Sequence, residues 1–518
     1  MNQPPPLEDY DLFTEDRPLL EAIRREGPPD AEARLVELGR ELGGEPLEWG
    51  RLANEHPPRL RSHDRFGERL DEVEFHPAWH ALLELGVEQG IHALPWRGGS
   101  HVERAAAFVL LSQVEAGVCC PLSMTHAAVP ALRASPALAL EWEPRLTSYL
   151  YEPGLTPADD KAGALAGMSL TERQGGSDLR SNETTASPLA EGEAELDGAK
   201  WFCSAPMCDV FLVTAQAPAG LSCYLVPRIL PDGSRNRIRL VRLKDKLGNR
   251  SNASAEIELD GAWGQLVGEE GRGVPAVAEM INHTRLDCAL GSAALMRRAV
   301  AEATHHAAHR AAFGAPLADQ PLMRNVLADL CLESEAAAAL AVRVARAYDD
   351  ADAPFRRLAT AVAKYWTCKV APGVVGEALE CLGGNGYVEE SVLPRLYREA
   401  PLNSIWEGSG NVAALDVLRI VRRQPEALEA FRAELEPELR PALEGAEEWD
   451  ARRLAERLAV ALQATLLVRS APAEVAELFV ASRVRGERGR AYGTLPESAG
   501  LAAIVERHRP LAGTRVTG

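Results

Sequence analysis

The sequence predicts a mainly helical α+β protein in which one small β-domain interrupts a series of helices. Three observations predict this class. Apolar and charged residues recur at helical spacing over residues 1–160, short β-rich runs separated by turn residues fill residues 161–275, and strong helical periodicity follows Gly273. We therefore expect an N-terminal helical domain (1–160), a β-domain (161–275), a helical bundle (276–423) and a basic helical domain (424–518).

Length and composition restrict the class of protein further. The 518 residues exceed the size of one ordinary core, and a hydrophobic content of 46% is typical of a globular protein. No run approaches the roughly 18 apolar residues of a membrane helix, and the N-terminus lacks the features of a signal peptide. The nine cysteines are scattered, which indicates reduced thiols. We expect a cytoplasmic protein with no membrane partner.

The β-domain is predicted from runs of β-branched and aromatic residues that alternate with turn residues. The runs are residues 210–214, 221–226 and 255–259, and the expected turns are residues 197–198 (Asp-Gly), 231–233 (Pro-Asp-Gly) and 260–261 (Asp-Gly). Together they indicate one small sheet domain inside a helical protein.

The helices after the β-domain are predicted to form a bundle. Apolar residues at steps of three and four after Gly273 indicate a helix with one buried face. Further helices are expected from Pro321 to about Tyr348 and from Pro354 to Leu382, and long helices joined by short turns pack together. In the last domain, a leucine at every fourth position from Leu454 to Leu466 predicts helices again.

The segment 168–178 combines two adjacent glycines, Gly175 and Gly176, with the short polar side chains of Thr171 and Ser177. Adjacent glycines let a backbone turn tightly and approach a ligand closely. The segment can therefore cradle a flavin or a phosphate, and the alternative is a β-hairpin loop with a capping threonine. Residues 200–204 then add aromatic bulk and a hydroxyl that can cover the same ligand.

Two motifs in the helical region suggest ligand contacts. Arg310 precedes Phe313-Gly314 and Gln320 at a helix junction, where a guanidinium suits a pyrophosphate; the alternative is an ordinary helix C-cap. Residues 380–387 contain Gly384 in a glycine-rich turn that another group can approach closely, and the alternative is a turn that only ends a helix.

Glu407 is the candidate catalytic residue. It follows Trp406 and precedes a flexible polar turn that ends at Asn411. An aromatic neighbour can raise the pKa of a carboxylate and make it a general base. The alternative is a solvated surface acid.

The order of these motifs is that of a known family. Leu-Thr-Glu-x-x-Gly-Gly-Ser-Asp precedes the strands, Lys-Trp-Phe-x-Ser lies within them, and Arg-x-x-Phe-Gly, Gly-Gly-x-Gly-Tyr and Trp-Glu-Gly follow. Over residues 100–420 the chain resembles the acyl-CoA dehydrogenase family, which implies the fold of that family with an extra C-terminal helical domain. It looks most like the AidB branch, the alkylation-response flavoproteins, in residues 2–4, 75–80, 174–178, 242–253 and 394–399.

The resemblance implies that FAD binds between the sheet and the helical bundle. In the family, the residues matching Arg310 and Gln320 reach the flavin of a neighbouring subunit, so a homotetramer is expected. The residues at positions that contact FAD in the family are Met168, Ser169, Leu170, Thr171, Gly175, Gly176, Ser177, Phe202, Cys203, Ser204, Arg310, Phe313, Gln320, Gly384, Ile405, Trp406, Ser409 and Asn411.

The resemblance also assigns a role to Glu407, which would remove the α-proton of an acyl-CoA substrate while a hydride leaves the β-carbon for the flavin. Some relatives carry the base just before the residue matching Arg285, but Thr284 cannot serve as a base. Trp406 is bulkier than the tyrosine of many relatives, so we expect weak or vestigial activity. The alternatives are a genuine dehydrogenase of short or branched acyl-CoA substrates and a flavin-containing scaffold with no turnover.

The C-terminal residues 451–518 contain eleven arginines, no lysine and six acidic residues, a net charge of +5 in a chain of net charge −19. Screening over about 10 Å at 0.1 M salt lets such a local surface act independently of the rest. Together with the AidB resemblance, this predicts binding of double-stranded DNA through its phosphates. The alternatives are a solvated helix end and a tail that serves only assembly. The candidate contacts are Arg452, Arg453, Arg483, Arg485, Arg488 and Arg490.

His305 and His309 lie one helical turn apart, a spacing that can hold a metal ion. The sequence offers no evident third ligand beside them. We therefore expect a polar helix face and no metal site.

Overall fold

The computed structural model describes residues 2–190, 192–441 and 447–511. The chain divides into two compact units. The first, called here the bundle unit, consists of Met1–Leu47, Ser100–Val114 and Arg285–Gly518. The second, called here the β-unit, consists of Glu48–Gly99 and Glu115–Thr284. Within the described residues, no helix is long and apolar enough to cross a membrane.

The elements are numbered in chain order. The helices are α1 (Arg17–Glu26), α2 (Ala31–Leu42), α3 (Pro46–Glu55), α4 (Pro77–Glu88), α5 (His101–Val114), α6 (Ala116–Leu132), α7 (Pro136–Leu146), α8 (Gly273–His309), α9 (Pro321–Asp349), α10 (Ala353–Cys381), α11 (Gly384–Tyr387), α12 (Val392–Glu399), α13 (Gly410–Arg423), α14 (Pro425–Glu434), α15 (Ala451–Ser470), α16 (Ala473–Phe479) and α17 (Leu501–His508). The strands are β1 (Arg59–His63), β2 (Arg69–Glu74), β3 (Ala166–Ser169), β4 (Thr185–Pro188), β5 (Glu193–Ser204), β6 (Val210–Ala217), β7 (Gly220–Pro227), β8 (Ile238–Leu243), β9 (Ser254–Val267), β10 (Ala311–Ala312) and β11 (Ala315–Pro316).

The long helices of the bundle unit lie where the hydrophobic periodicity predicts them. α9 starts with a proline, whose missing N–H costs nothing in the first turn of a helix. α10 starts after Asp352, whose carboxylate accepts a hydrogen bond from the backbone N–H of Phe355 at 3.2 Å. α9 and α10 pack against each other, and α10 also packs against α13, α14 and α15. Their fully buried side chains, such as Leu330, Leu340 and Val362, form part of the core of this unit.

The C-terminal segment is an integral part of the bundle unit. α15 packs against α9, α10 and α13, and its predicted leucine stripe is buried, as at Leu458 and Leu462. Farther along, His508 lies 2.9 Å from the carboxylate of Glu335 on α9, and Arg507 donates to the same carboxylate at 2.9 Å. Apolar burial and ion pairs therefore hold α15 and α17 to the bundle.

The β-unit is built on a seven-stranded sheet. The strand order is β3-β6-β4-β5-β9-β7, with β8 beside β9. β6 also pairs antiparallel with β7, so the last strand in this order is hydrogen-bonded to the second one. β3 runs parallel to β6, whereas β5 and β9 form a long antiparallel pair. β6 and β7 are buried along almost their whole length.

Two of the three predicted turns in the β-domain are wrong. Residues 197–198 lie inside β5 and residues 260–261 lie inside β9, where the two strands pair with a register shift after Leu196. Gly261 has a φ of +73°, which glycine adopts at little cost. Here Asp-Gly marks a β-bulge within a long strand rather than a turn between strands. The third prediction is confirmed, since the N–H of Gly233 closes a turn on the carbonyl of Leu230 at 2.9 Å.

A β-hairpin also lies within the N-terminal segment that the sequence predicted to be helical. β1 and β2 pair antiparallel, for example at Leu60 and Val73. Asp64 fixes the turn, because its carboxylate accepts hydrogen bonds from the N–H groups of Phe66 and Glu68 at 2.8 and 2.9 Å. Most side chains of both strands are at least partly exposed, so the strands lack the alternation of apolar and polar residues by which a half-buried strand is predicted from sequence.

Candidate functional site

The predicted cofactor residues fall into two sets, one in each unit. Residues 168–177 and 202–204 belong to the β-unit, and the remaining residues, with Glu407, belong to the bundle unit.

In the β-unit, the segment after β3 folds as a tight loop. Glu172 and Gly175 form an isolated antiparallel bridge, and Gly175 has a φ of +144°. A Cβ on Gly176 would lie 2.4 Å from Oγ1 of Thr171, so this position requires glycine. The loop therefore presents backbone and the hydroxyls of Thr171 and Ser177 without an intervening side chain, which suits the close approach of a phosphate-bearing cofactor.

A buried ion pair that the sequence analysis missed joins this loop to β5. Nζ of Lys200 lies 2.6 Å from Oε1 of Glu172, and both side chains are almost fully buried. Thr184 donates its hydroxyl to the same carboxylate at 2.6 Å, and the N–H of Trp201 donates to the carbonyl of Thr171 at 2.8 Å. Burial raises the pKa of Glu172, but the hydrogen bonds from Lys200 and Thr184 lower it to about 2. The charged pair thus fixes the relative position of the two predicted cofactor motifs.

Strand alternation separates the side chains that can meet a ligand from those that cannot. Phe202 is 45% exposed, whereas Cys203 is buried and its burial raises the pKa of the thiol to about 12. Ser169 is also buried, and its hydroxyl donates to the carbonyl of Phe202 at 3.4 Å. Phe202 can therefore stack on a ligand, while Ser169 and Cys203 can offer only their backbone groups.

In the bundle unit, Glu407 lies in a constrained turn just before α13. Its φ is +58° and that of Gly408 is +98°, so both residues adopt the left-handed region. A non-glycine residue holds this conformation only when its surroundings enforce it. Nε of Arg285 donates to the carbonyl of Glu407 at 3.0 Å, and Nζ of Lys364 donates to the carbonyl of Gly408. The half-buried Glu407 side chain therefore projects from a backbone that two cations hold in place.

Asp416 on α13 holds Arg285 in turn. Its carboxylate accepts from Nη1 of Arg285 at 2.6 Å and from Nη2 of Arg357 at 2.8 Å. Burial raises the pKa of Asp416, but the hydrogen bond from Arg357 and the charge of Arg285 lower it well below its usual range. Asp416 therefore stays ionised and keeps the guanidinium of Arg285 oriented towards Glu407.

The side chains that flank Glu407 differ in their surroundings. The indole N–H of Trp406 donates to Oδ1 of the buried Asn403 at 3.0 Å, which fixes the ring. Ile405 is 61% exposed, Ser409 is half-buried and Asn411 is exposed. In the β-unit, the hydroxyl of Thr284 donates to a carbonyl of its own helix, that of Ile281, at 3.2 Å.

The predicted helix junction at Arg310 is a small hairpin rather than a simple helix cap. β10 and β11 pair around Phe313 and Gly314, whose φ values are +54° and +86°. Gln320 donates its side-chain N–H to the carbonyl of Ala312 at 3.1 Å, and Arg310 donates to the carbonyl of Asn2. Phe313 is 99% exposed at the tip. The hairpin thus presents an aromatic ring from a fixed backbone.

The N-terminal residues connect this hairpin to the glycine-rich turn at α11. Oδ1 of Asn2 accepts from the N–H of Ala311 at 2.9 Å, and Oε1 of Gln3 accepts from the amide of Asn385 at 2.9 Å. Gly384 has no atom within 4 Å of the position of a Cβ, so this turn is open to an approaching group. The structure therefore brings two of the predicted motifs together along one short segment.

The C-terminal arginines differ sharply in accessibility. The sequence predicts a DNA contact for Arg483, but its side chain is only 3% exposed and is paired with Asp329 and Glu333 of α9. Nη1 of Arg488 lies 3.4 Å from the same Asp329. The prediction is wrong for Arg483, because a buried guanidinium shared by two carboxylates cannot reach a phosphate. The side chain of Arg488 is 25% exposed and is directed mainly at a carboxylate of its own unit.

The other predicted DNA contacts lie at the surface. Arg453 is 57% exposed beside Asp450, and Arg485 is 55% exposed beside Glu487. Arg490 is exposed. Nε of Arg452 donates to Oδ1 of Asn411 at 2.8 Å, which places this arginine beside a predicted cofactor residue.

The histidine pair on α8 is engaged in main-chain contacts. Nε2 of His305 lies 2.9 Å from the carbonyl of Pro5, and Nδ1 of His309 lies 2.8 Å from the carbonyl of His305. These contacts use one ring nitrogen of each imidazole.

Three family models match the chain in order. They are the adaptive response protein AidB N-terminal domain over residues 2–153, the acyl-CoA dehydrogenase middle domain over residues 167–262 and the acyl-CoA dehydrogenase C-terminal domain over residues 271–421. The chain therefore belongs to the acyl-CoA dehydrogenase family. Within that family it is 52% identical to AidB of Escherichia coli (strain K12) over 433 residues, which cover 82% of this chain and 80% of that protein.

Solved structures agree with this assignment. ACDH-11 of Caenorhabditis elegans in complex with C11-CoA aligns with a TM-score of 0.82 and 27% identity, covering 98% of this chain and 92% of that chain. The Bd2924 apo-form aligns with a TM-score of 0.83 and 29% identity, covering 90% of this chain and 99% of that chain. The predicted fold class is confirmed. The protein is FAD-dependent, as members of this family are, and the glycine loop and the exposed ring of Phe202 fit that cofactor.

The Glu172–Lys200 pair leads to a first prediction. Lys200→Met should lower the free energy of unfolding by about 3–5 kcal/mol, because it leaves a buried carboxylate without its cation. Chemical denaturation of the full chain measures this. Arg239→Met is the control, because that arginine is 51% exposed in its pair with Asp260 and should cost at most about 1 kcal/mol. Equal losses in the two variants would show that the buried pair does not stabilise the loop.

Proposed function

We propose that the protein is an FAD-containing acyl-CoA dehydrogenase-like flavoprotein that binds double-stranded DNA and protects it or responds to alkylation damage. The observation that carries this proposal is its 52% identity to AidB along most of both chains, together with the match to a domain described as that of an adaptive response protein. Acyl-CoA dehydrogenation would be weak or vestigial.

The exposed arginines of the C-terminal segment support the DNA part of this proposal. Arg453 is 57% exposed, although its partner Asp450 is largely buried. Arg485 is 55% exposed beside the exposed Glu487, and a surface pair of this kind contributes at most about 1 kcal/mol. A DNA phosphate can therefore replace the acid at little cost. Arg490 adds a third exposed cation. Contacts of this kind bind duplex DNA with little dependence on its sequence.

Charge removal tests this interface. The triple variant Arg453→Gln, Arg485→Gln, Arg490→Gln should bind duplex DNA more weakly and lower the slope of log affinity against log salt by about 2–3, since each phosphate contact contributes about 0.9. Fluorescence anisotropy with a labelled duplex at several salt concentrations measures both quantities.

A matched control replaces three arginines elsewhere. Arg24, Arg133 and Arg239 are 56%, 47% and 51% exposed and each is paired with an acid, so their replacement removes the same net charge. This control should keep the wild-type slope. If both triple variants lose affinity equally, DNA binding follows from total charge and the proposed surface is wrong.

The second candidate function is genuine acyl-CoA dehydrogenation, and the fixed backbone of Glu407 favours it. With Arg285 and Lys364 holding the two carbonyls, the Glu407 side chain starts from a fixed backbone position, from which its carboxylate can take the α-proton of an acyl thioester. FAD supplies the acceptor for the hydride that leaves the β-carbon. Trp406, held by Asn403, is next to the base in sequence and bulkier than the tyrosine of many relatives, which favours short acyl chains or slow turnover.

Replacement of the base separates binding from chemistry. Glu407→Gln should retain FAD and duplex DNA binding but lose at least about 100-fold in any residual acyl-CoA dehydrogenation, because the amide cannot accept the α-proton. Dye reduction with short acyl-CoA substrates measures the rate. The exposed Glu390→Gln serves as the control and should keep the wild-type rate. Undiminished activity in Glu407→Gln would refute the role of this residue.

Self-association into a homotetramer completes the proposal. Phe313 is 99% exposed at the tip of the β10–β11 hairpin, and Tyr387 is 79% exposed in the neighbouring glycine-rich turn. Large exposed rings on a fixed backbone suit contact with another subunit. Arg310 and Gln320 lie at the base of the same hairpin, where they would reach the cofactor of a neighbouring copy.

A further inference from the structure

The start of α15 brings a cation to the start of α13. Nε of Arg452 donates to Oδ1 of Asn411, the second residue of α13, at 2.8 Å. Only the oxygen of an amide side chain accepts such a bond, so this contact sets the orientation of the Asn411 amide. Its Nδ2 hydrogens are then directed away from Arg452, where they can donate to a ligand.

A second cation approaches the same helix end. A Cβ on Gly410 would lie 3.0 Å from Nζ of Lys369 and 3.6 Å from Nη2 of Arg452, so both side chains converge on this glycine. Burial lowers the pKa of Lys369, and the charges of Arg452 and Lys364 lower it further. The N-terminus of a helix already carries partial positive charge. Two additional cations there repel one another unless an anionic group lies between them.

The neighbouring arginine serves as an internal comparison. Arg453 pairs with Asp450, and its guanidinium carbon lies 5.5 Å from the centroid of the Trp449 ring, so both of these contacts are within its own segment. Arg452 and Arg453 are adjacent in sequence, and both are exposed, yet they face different partners. The two arginines therefore carry the same charge but differ in their contacts, because Arg452 is the one that donates a hydrogen bond to Asn411.

We propose that Arg452 is a positioning residue for the cofactor rather than a DNA contact. It orients the side-chain amide of Asn411 and, together with Lys369, provides positive charge for the pyrophosphate of FAD. This inference rests on the proposed contact between Asn411 and FAD. It means that the C-terminal segment, which lies beyond the matched acyl-CoA dehydrogenase domains, supports cofactor binding as well as assembly of the bundle.

Release of FAD from the full-length holoprotein tests the inference. On serial dilution, the recovery of flavin fluorescence gives the Kd for FAD. Arg452→Met should weaken FAD binding about tenfold, the effect expected for one charge-assisted hydrogen bond, and Arg457→Met, at an exposed arginine of the same helix, should change it less than about twofold. The melting temperature at saturating FAD should match that of the wild type in both variants, which separates positioning from stability.

The Asn411→Ala variant, alone and combined with Arg452→Met, separates two claims. One is that Asn411 contacts FAD, and the other is that Arg452 acts through Asn411. Because Arg452 acts partly through Asn411, the double variant should lose less affinity for FAD than the sum of the two single losses. Wild-type affinity in Asn411→Ala would contradict the proposed contact between Asn411 and FAD. Weak binding in Asn411→Ala with wild-type affinity in Arg452→Met would overturn the role of Arg452, as would two losses that simply add in the double variant.

Discussion

The network centred on Asp416 determines the geometry of the candidate catalytic turn. One buried carboxylate holds Arg285 and Arg357, and Arg285 in turn holds the carbonyl of Glu407. Without that bond, a glutamate with a φ of +58° would relax towards ordinary backbone conformations. Breaking a buried ion pair typically costs about 3–5 kcal/mol, which is enough to keep the turn in one state. The backbone geometry at Glu407 is thus a property of the bundle core.

Buried ion pairs also make the C-terminal segment an integral part of the bundle unit. Its arginines are divided between two uses: Arg483 and Arg507 form ion pairs with carboxylates on α9, whereas Arg453, Arg485 and Arg490 remain at the surface. A segment with a net charge of +5 therefore presents far less free positive charge than its composition suggests. The proposed DNA contacts of this segment are therefore restricted to a few exposed side chains.

The sequence predicts those features that local patterns encode. Apolar periodicity places α9 and α10 to within one residue at either end, and the glycines at 175 and 176 mark a real close-approach loop. Features set by distant partners are not encoded locally. The partner of Arg483 lies 154 residues away, and that of Lys200 lies 28 residues away, so neither burial nor pairing is visible in a window of sequence. Asp260-Gly261 forms a bulge in β9 and Asp197-Gly198 lies opposite it in β5; the sequence predicts turns at both places because Asp-Gly suits turns and bulges alike.

Anaerobic mixing of the purified flavoprotein with a panel of acyl-CoA substrates tests the account most directly. The absorbance of the oxidised flavin should fall slowly and incompletely with every acyl-CoA, while the same preparation retains duplex DNA in a salt-sensitive manner. Rapid and complete bleaching by one acyl-CoA would contradict the proposal that DNA binding is the main function and would identify the protein as a working dehydrogenase.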